Sequence, residues 1–360
     1  MLLQRIQAIL EQNPGQKAKT IASQLREDRS EINRVLHDHN GIFVQDPENY
    51  TWSLAALCVD LGSHFWLTAD AFENVLLNAG SPLDSTDHRV IFTVGEDCKI
   101  LLEALARLLA ICNQLADAGK LVTIDFQASY STLTYLNRIG FIRLLRESVR
   151  VLPKRPRISA ATLYEGNNDG VVELRSIDPI QPDDDIPNLL RNSFVSCAGT
   201  QYNVAAHTVI TELFGNVKEH SGTTVAGFAG LQNYAGRKNR HIQTVISDGG
   251  RGIVGTLMPI LNARYPDLAK RISSSSFDPR IALLQAVFSE GGISQITDSG
   301  RGLGLKGSSA YAQKYNALIS VRQETYELKI THEGEDMHFS HRLNLAKISG
   351  THICFDFHLD

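Results

Sequence analysis

The sequence is poor in the features that staple, span or strongly charge a chain. Its five cysteines, Cys58, Cys98, Cys112, Cys197 and Cys354, are scattered without a C-x-x-C pair. That pattern excludes a disulfide framework and a cysteine-built zinc module and points to a reducing compartment, with the cytoplasm as the expected location. No long hydrophobic run is present: the most apolar stretch, residues 101–118, is interrupted by Glu103, Arg107, Asn113 and Asp117, so no membrane span is expected. The start of the chain has no charged-then-apolar leader pattern. Charge of one sign is also missing. Thirty-five Lys and Arg against thirty-nine Asp and Glu leave a net charge of −4, which provides no global basic field, so any nucleic-acid site must be local. A Walker A sequence is absent too. What remains is 360 residues, 43% hydrophobic and 21% charged, the composition of a globular chain long enough for two or three domains.

Residues 1–54 carry three helical patterns and a ribbon. Leu3, Ile6, Ile9 and Leu10 have helical spacing and Asn13-Pro14-Gly15 stops the run. Further helices are predicted over about 17–25 and 29–37, the latter with Ile32, Val35 and Leu36 on one face and Arg29, Asn33 and His37 on the other. Ile42-Phe43-Val44 and Tyr50-Thr51-Trp52-Ser53-Leu54 read as strands around the turn 46–49. This is a winged helix-turn-helix outline. The run Ser30-Glu31-Ile32-Asn33-Arg34-Val35-Leu36, followed by Trp52 after a wing, resembles the Z-alpha type of winged helix. That resemblance implies that Arg29, Asn33 and Trp52 meet a nucleic-acid backbone. Two positions depart from the family: His37 replaces a tyrosine, and Asn49-Tyr50-Thr51 replaces a proline pair. A winged helix used for protein contacts is the alternative.

Residues 55–84 are expected to form a helical connector, and 85–178 an α/β region with strands at 89–94 and 121–126 and helices at 99–118 and 132–149. Val122-Thr123-Ile124-Asp125-Phe126, a Ser/Thr loop and the helix after it resemble the STAS-like domains of bacterial partner-switching regulators. The resemblance puts Ser129, Ser131 and Thr132 where such domains carry a phosphorylatable hydroxyl, while a polar loop with an N-cap accounts for the same residues. The polar stretch 178–185, with Pro179, Pro182 and three consecutive aspartates, reads as an interdomain linker, and a last domain is expected over 186–360.

Three motifs follow in that last region. In Glu212-Leu213-Phe214-Gly215-Asn216-Val217-Lys218-Glu219-His220 the residues Glu212, Asn216 and His220 are spaced by four, so one helical stripe can address one ligand. A carboxylate and an amide oxygen at that spacing suit a hard divalent cation and a water to be deprotonated. In Thr244-Val245-Ile246-Ser247-Asp248-Gly249-Gly250-Arg251-Gly252 an apolar strand ends at a carboxylate able to accept from an exocyclic amine, with glycines that allow close approach of a flat ligand. In Ser299-Gly300-Arg301-Gly302-Leu303-Gly304 glycine amides open a helix, where phosphate oxygens are favoured.

In this order the boxes, with Gly350-Thr351 entering a terminal strand, resemble the GHKL superfamily of gyrase, heat-shock chaperone, histidine kinase and MutL ATPases. The resemblance covers 186–360 and implies an α/β sandwich that binds ATP and Mg²⁺. Asn216 would hold the metal, Asp248 and Thr351 the adenine, and Gly250, Gly252, Gly300, Gly302 and Gly304, with His220, the rest of the nucleotide; residues 254–299 would be a mobile lid. Glu212 stands where hydrolytic members and anti-sigma serine kinases carry their activating carboxylate. The expected protein is therefore multidomain α+β. Three functions are left open: an ATPase switch coupled to a DNA-binding winged helix, a serine/threonine kinase, and a non-catalytic ATP sensor. A protein partner and a homodimer are likewise open.

Overall fold

The computed structural model describes residues 2–63, 66–220, 225–236, 240–290, 292–293, 304–315, 317–333 and 336–359, without the side chains of 218–220 and of 304. Three helices open the chain, α1 (Leu2–Gln12), α2 (Ala18–Leu25) and α3 (Arg29–Asp38), followed by the antiparallel hairpin β1 (Phe43–Gln45) and β2 (Trp52–Leu54). Asp28 caps α3 by accepting from the Ser30 amide at 2.7 Å, the expected role for a short carboxylate at that position. Ile6, Leu10, Ile21, Ile32, Leu36, Phe43, Trp52 and Leu54 make the core of this unit.

The chain then enters a four-stranded parallel sheet in the order β3-β5-β7-β8: β3 (Ala56–Asp60), β5 (Arg89–Thr93), β7 (Leu121–Asp125) and β8 (Arg150–Leu152). Between β3 and β5 lie β4 (Trp66–Leu67) and α4 (Ala69–Ala79); β4 pairs with β6 (Lys99–Ile100), which leads into α5 (Leu102–Asp117). The expected helical connector is thus corrected: 56–60 is a strand, and only 69–79 is helical. The single helix expected over 132–149 is two, α6 (Tyr130–Arg138) and α7 (Phe141–Leu144), before the short α8 (Ala160–Tyr164). Gly140 separates them at φ +88°, where an added Cβ would press the Leu174 carbonyl oxygen at 2.9 Å.

The third element is a seven-stranded antiparallel sheet in the order β14-β13-β12-β15-β11-β10-β9. Its strands are β9 (Val171–Ile177), β10 (Gly227–Tyr234), β11 (His241–Asp248), β12 (Ala317–Glu324), β13 (Tyr326–Glu333), β14 (Asp336–Arg342) and β15 (Ile348–His358). Because β9 pairs with β10, residues before the 178–185 stretch already belong to this sheet. One face carries α9 (Ile186–Ala198), α10 (Asn203–His220), α11 (Gly252–Leu257), α14 (Pro279–Ser289) and α15 (Gly304–Lys314), with α12 (Leu261–Arg264) and α13 (Pro266–Ser273) alongside. The stretch expected as a lid carries α11 to α14 up to residue 289, and its Val254, Leu257, Leu261, Ile281, Leu284 and Phe288 are buried in the same core as the sheet. Among the described residues no helix is long and apolar enough to cross a membrane.

The other face of the large sheet is covered by α5. Strand alternation divides the side chains: Ile242 and Ile246 join the core under α10, whereas Val245 and Cys354 join the core around α5. Helix α5 is therefore buried on nearly all sides rather than amphipathic, and its charges are paired internally. Arg107, 1% exposed, donates to Glu73 of α4 at 2.8 Å, to Glu103 at 2.5 Å, to Glu327 of β13 at 2.5 Å and to Ser320 of β12 at 3.0 Å. Arg322 of β12, fully buried, donates to both oxygens of Glu73 at 2.9 and 3.1 Å and also to the Ala346 carbonyl. Burial alone would raise the Glu73 pKa, yet the two guanidiniums hold it below the ordinary carboxylate value.

Removing one member of such a set strands the others in a low-dielectric interior. Glu73→Ala is expected to lower the unfolding free energy by about 3–5 kcal/mol in urea titration. Glu31→Ala, which removes an exposed pair with Arg34, should change it by less than about 1 kcal/mol.

Candidate nucleotide site

Asp248 ends β11 on the helix-covered side of the large sheet, and α10 reaches it at its C-terminal end. A Cβ built on Gly227 would lie 2.5 Å from the Ser247 carbonyl oxygen, 2.9 Å from Val217 Cγ1 and 3.5 Å from the Asp248 Cα. Only glycine at 227 lets the helix and the strand end approach so closely. On α10, Val209, Leu213 and Val217 are buried in the core, and Glu212 and Asn216 are half-buried beside them. The Asn216 amide nitrogen is shut off from solvent and has no hydrogen-bond partner among the described residues, an arrangement that fits an N–H donor completed by a ligand acceptor.

The Asp248 carboxyl is held by a directional chain of hydrogen bonds. The Tyr326 hydroxyl donates to Gln323 Oε1 at 2.9 Å, which fixes the amide so that Gln323 Nε2 donates to Thr351 Oγ1 at 3.0 Å. The Thr351 hydroxyl is left to donate to Asp248, whose Oδ1 also accepts from the Gly250 amide at 2.7 Å. Thr351 and Asp248 are cross-strand partners, and Gly350, at φ +95°, passes so close that a Cβ there would lie 1.9 Å from the Asp248 carbonyl oxygen. Gly252 begins α11 at φ +74°, with the Gln323 amide 3.2 Å from where its Cβ would be. Burial pushes the Asp248 pKa up to about 6, with the bonds from Gly250 and Thr351 pulling the other way.

Of the residues expected at the site, Glu212, Asn216, Asp248, Gly250, Gly252 and Thr351 lie on α10, at the end of β11, at the start of α11 and in β15. Gly304 opens α15, which packs against α10. Gly300 and Gly302 fall outside the described residues, as does the side chain of His220. Gln323 and Tyr326 were not singled out from the sequence. A glutamine in a strand normally signals a solvated edge, and only the pairing of β12 with β15 places it against Thr351.

The other expected contacts divide. Arg29 is exposed and Asn33 half-buried on α3. Trp52, expected to meet nucleic acid, is 3% exposed; its ring lies edge-on to His37 at 4.8 Å and belongs to the hydrophobic core of the first unit. That role is corrected: in so small a unit Trp52 and Phe43 of the hairpin both fill the core, and His37 is the exposed ring above Trp52. Ser129 and Thr132 are buried, with their hydroxyls 2.8 Å apart and Thr132 Oγ1 donating to the Cys98 carbonyl at 2.5 Å, while Ser131 is exposed. Comparison with family models, curated proteins and solved structures found no match.

The raised pKa of Asp248 fixes the sign of a pH effect. The folded state binds this proton more tightly than the unfolded chain, so its stabilising contribution is complete below about pH 4 and is lost as pH rises through about 6. Thermal unfolding of the wild type should therefore lose ground to Asp248→Asn across that window, and parallel profiles would place the proton elsewhere.

Proposed function

We propose that residues 186–360 bind ATP with Mg²⁺ as a GHKL-type domain and that nucleotide turnover serves as a switch for a nucleic-acid-binding winged helix at residues 1–54. The observation that carries the reading is the Asp248 carboxyl, poised at a strand end by Gly250 and Thr351 beside the close passage of Gly350. An ionised Asp248 accepts the exocyclic amine of adenine, and Thr351, already oriented by Gln323, fixes which lone pairs face the base. Asn216 would hold Mg²⁺ through its amide oxygen, and the ion would supply charge neutralisation on the phosphates, while the amide nitrogen, shut off from solvent, is a donor suited to a phosphate oxygen. Glu212 lies one turn before Asn216 and takes the proton of the attacking water.

The kinase alternative loses its internal target in part, because Ser129 and Thr132 are buried and donate inward. Thin-layer analysis of labelled ATP separates the outcomes. Free phosphate from the wild type supports the switch, labelled protein supports a kinase, and tight binding of unchanged nucleotide supports a sensor. Glu212→Ala is expected to keep ATP affinity within a few-fold and to lose turnover by at least about 10²-fold. Asn216→Ala should remove the Mg²⁺ dependence of binding, and Asp248→Asn should remove binding itself while the protein stays folded by circular dichroism.

The winged-helix half of the reading rests on the Arg29, Asn33 and His37 face of α3. Six basic against seven acidic residues over 1–54 give the unit no net basic field, so phosphate binding there depends on a local face. Arg29→Ala is expected to weaken duplex binding across unrelated sequences and to reduce the salt slope by about one. Salt-independent or absent binding by the wild type would make this unit a protein-contact module.

A further inference from the structure

The far end of the large sheet, on its α5 side, gathers two imidazoles and a carboxylate with no part in the nucleotide reading. His241 begins β11 and His358 ends β15, and the two are direct cross-strand partners; Asp356, two residues earlier on β15, faces Gln243. Alternation puts all four on one face, opposite to the face of Asp248. One ligand atom from each of His241, Asp356 and His358 can be chosen so that all lie within 4.8 Å of one another. Seven residues of strand separate His241 from Asp248, about 23 Å at ~3.3 Å per residue, so this cluster is separate from the Asn216 site.

The orientation of Asp356 distinguishes the cluster from an ordinary histidine–aspartate pair. Its Oδ2 accepts from Gln243 Nε2 at 2.9 Å, and Gln243 Oε1 in turn accepts from the Glu103 amide at 3.3 Å at the start of α5. Its Oδ1 is shut off from solvent and makes no hydrogen bond among the described residues, although His241 Nδ1 is only 3.1 Å away. Two donors each ~2.0–2.1 Å from one ion lie about 2.9 Å apart at a right angle and about 3.4 Å apart at the tetrahedral angle. The observed 3.1 Å falls between them. The Tyr234 ring packs edge-on against His241 at 4.7 Å, and its hydroxyl is tied to the Leu102 amide at 2.8 Å. The imidazole is thus braced by an aromatic wall and the carboxylate by an amide, the kind of outer-shell support that metal ligands require.

We propose that His241, Asp356 and His358 form a three-ligand site for a divalent transition-metal ion of the zinc class, with at least one coordination position open to water or an anionic ligand. Two imidazoles and one carboxylate suit Zn²⁺ and its neighbours better than Mg²⁺ or Ca²⁺, which take all-oxygen shells. His358 is exposed and leaves the site accessible from solvent. The full-length protein, stripped with a chelator and desalted, is to be titrated with ZnCl₂ by calorimetry without nucleotide or Mg²⁺, and with Co²⁺ by visible absorption. The expected result is an ion bound with an imidazole-type cobalt spectrum. His358→Ala and Asp356→Asn should each weaken this binding by at least about 100-fold, and Gln243→Ala by about 10–100-fold, the range for an outer-shell partner. Glu212→Ala and Asn216→Ala should bind as the wild type does. His358 is at an exposed strand end, so its variant tests the site without a folding defect. Absence of binding by the wild type, or uptake that survives both His358→Ala and Asp356→Asn undiminished, overturns the proposal.

Discussion

Two guanidiniums buried between the two sheets are the constraint on which the other arrangements depend. Arg107 and Arg322 share Glu73, and Arg107 also engages Glu103 and Glu327. Three acids face two arginines; Lys329 lies 4.0 Å from Glu327 but is itself paired with Asp70 at 2.6 Å. His352 in the same face stays neutral, because burial first and then both arginines push its pKa down to about 3. A set this deep is weak evidence for stability, since well-packed apolar residues would do as well. Its physical consequence is geometric: the guanidinium forks accept one register of α4 and α5 against β12 and β13.

That register reaches the candidate nucleotide site through one step of chain. Arg322 and Gln323 are neighbours on β12 and so point to opposite faces. The first is locked into the buried charges, and the second orients Thr351 and, through it, Asp248. Two carboxyls then move in opposite directions for stated reasons. Glu73 is lowered because two cations outweigh its burial, and Asp248 is raised because burial outweighs the hydrogen bonds from its neutral donors. The second is the pattern of a group waiting for a partner, and the first of a group that already has one.

What the sequence made legible follows from range. Periodicity marked α1 to α3 and the strands β5, β7 and β11, the four-residue spacing singled out Glu212 and Asn216, and the strand end singled out Asp248, because each needs only local information, whereas Thr351 was implied only by the resemblance. Strand β3 was hidden because Ala-Leu-Cys-Val-Asp is short and no breaker divides it from the hairpin. The 178–185 stretch is a composition shift, but β9 pairs with β10 across it, and pairing is nonlocal. Gln323, Tyr326 and the partners of Arg107 were illegible for the same reason: a polar residue within a strand reads as solvated until its sheet neighbours are known. The cluster of His241, Asp356 and His358 joins strands more than a hundred residues apart in sequence, and no motif spacing encodes it.

The same packing limits what a nucleotide-dependent switch can move. A single residue, Ala55, separates β2 from β3, so the first unit has no flexible tether, and Leu121 of β7 packs directly against its core. From β7 the contacts run to α5 and from α5 to the large sheet. Sliding α4 and α5 over that sheet would separate Arg107 from Glu327 and Arg322 from Glu73, leaving buried charges unpaired at a cost of several kcal/mol. Among the described residues the helical layer on the opposite face carries no comparable set of buried ion pairs: α11 to α14 are joined to the sheet chiefly by apolar contacts, which can slide with little electrostatic cost. Under the switch reading, then, the first unit, the parallel sheet and the seven-stranded sheet move as one body. On that reading a nucleotide would act by shifting α10 to α15 against it, and nucleic acid bound at α3 would sense that shift through a change in surface presented beside it, not through a change in α3 itself.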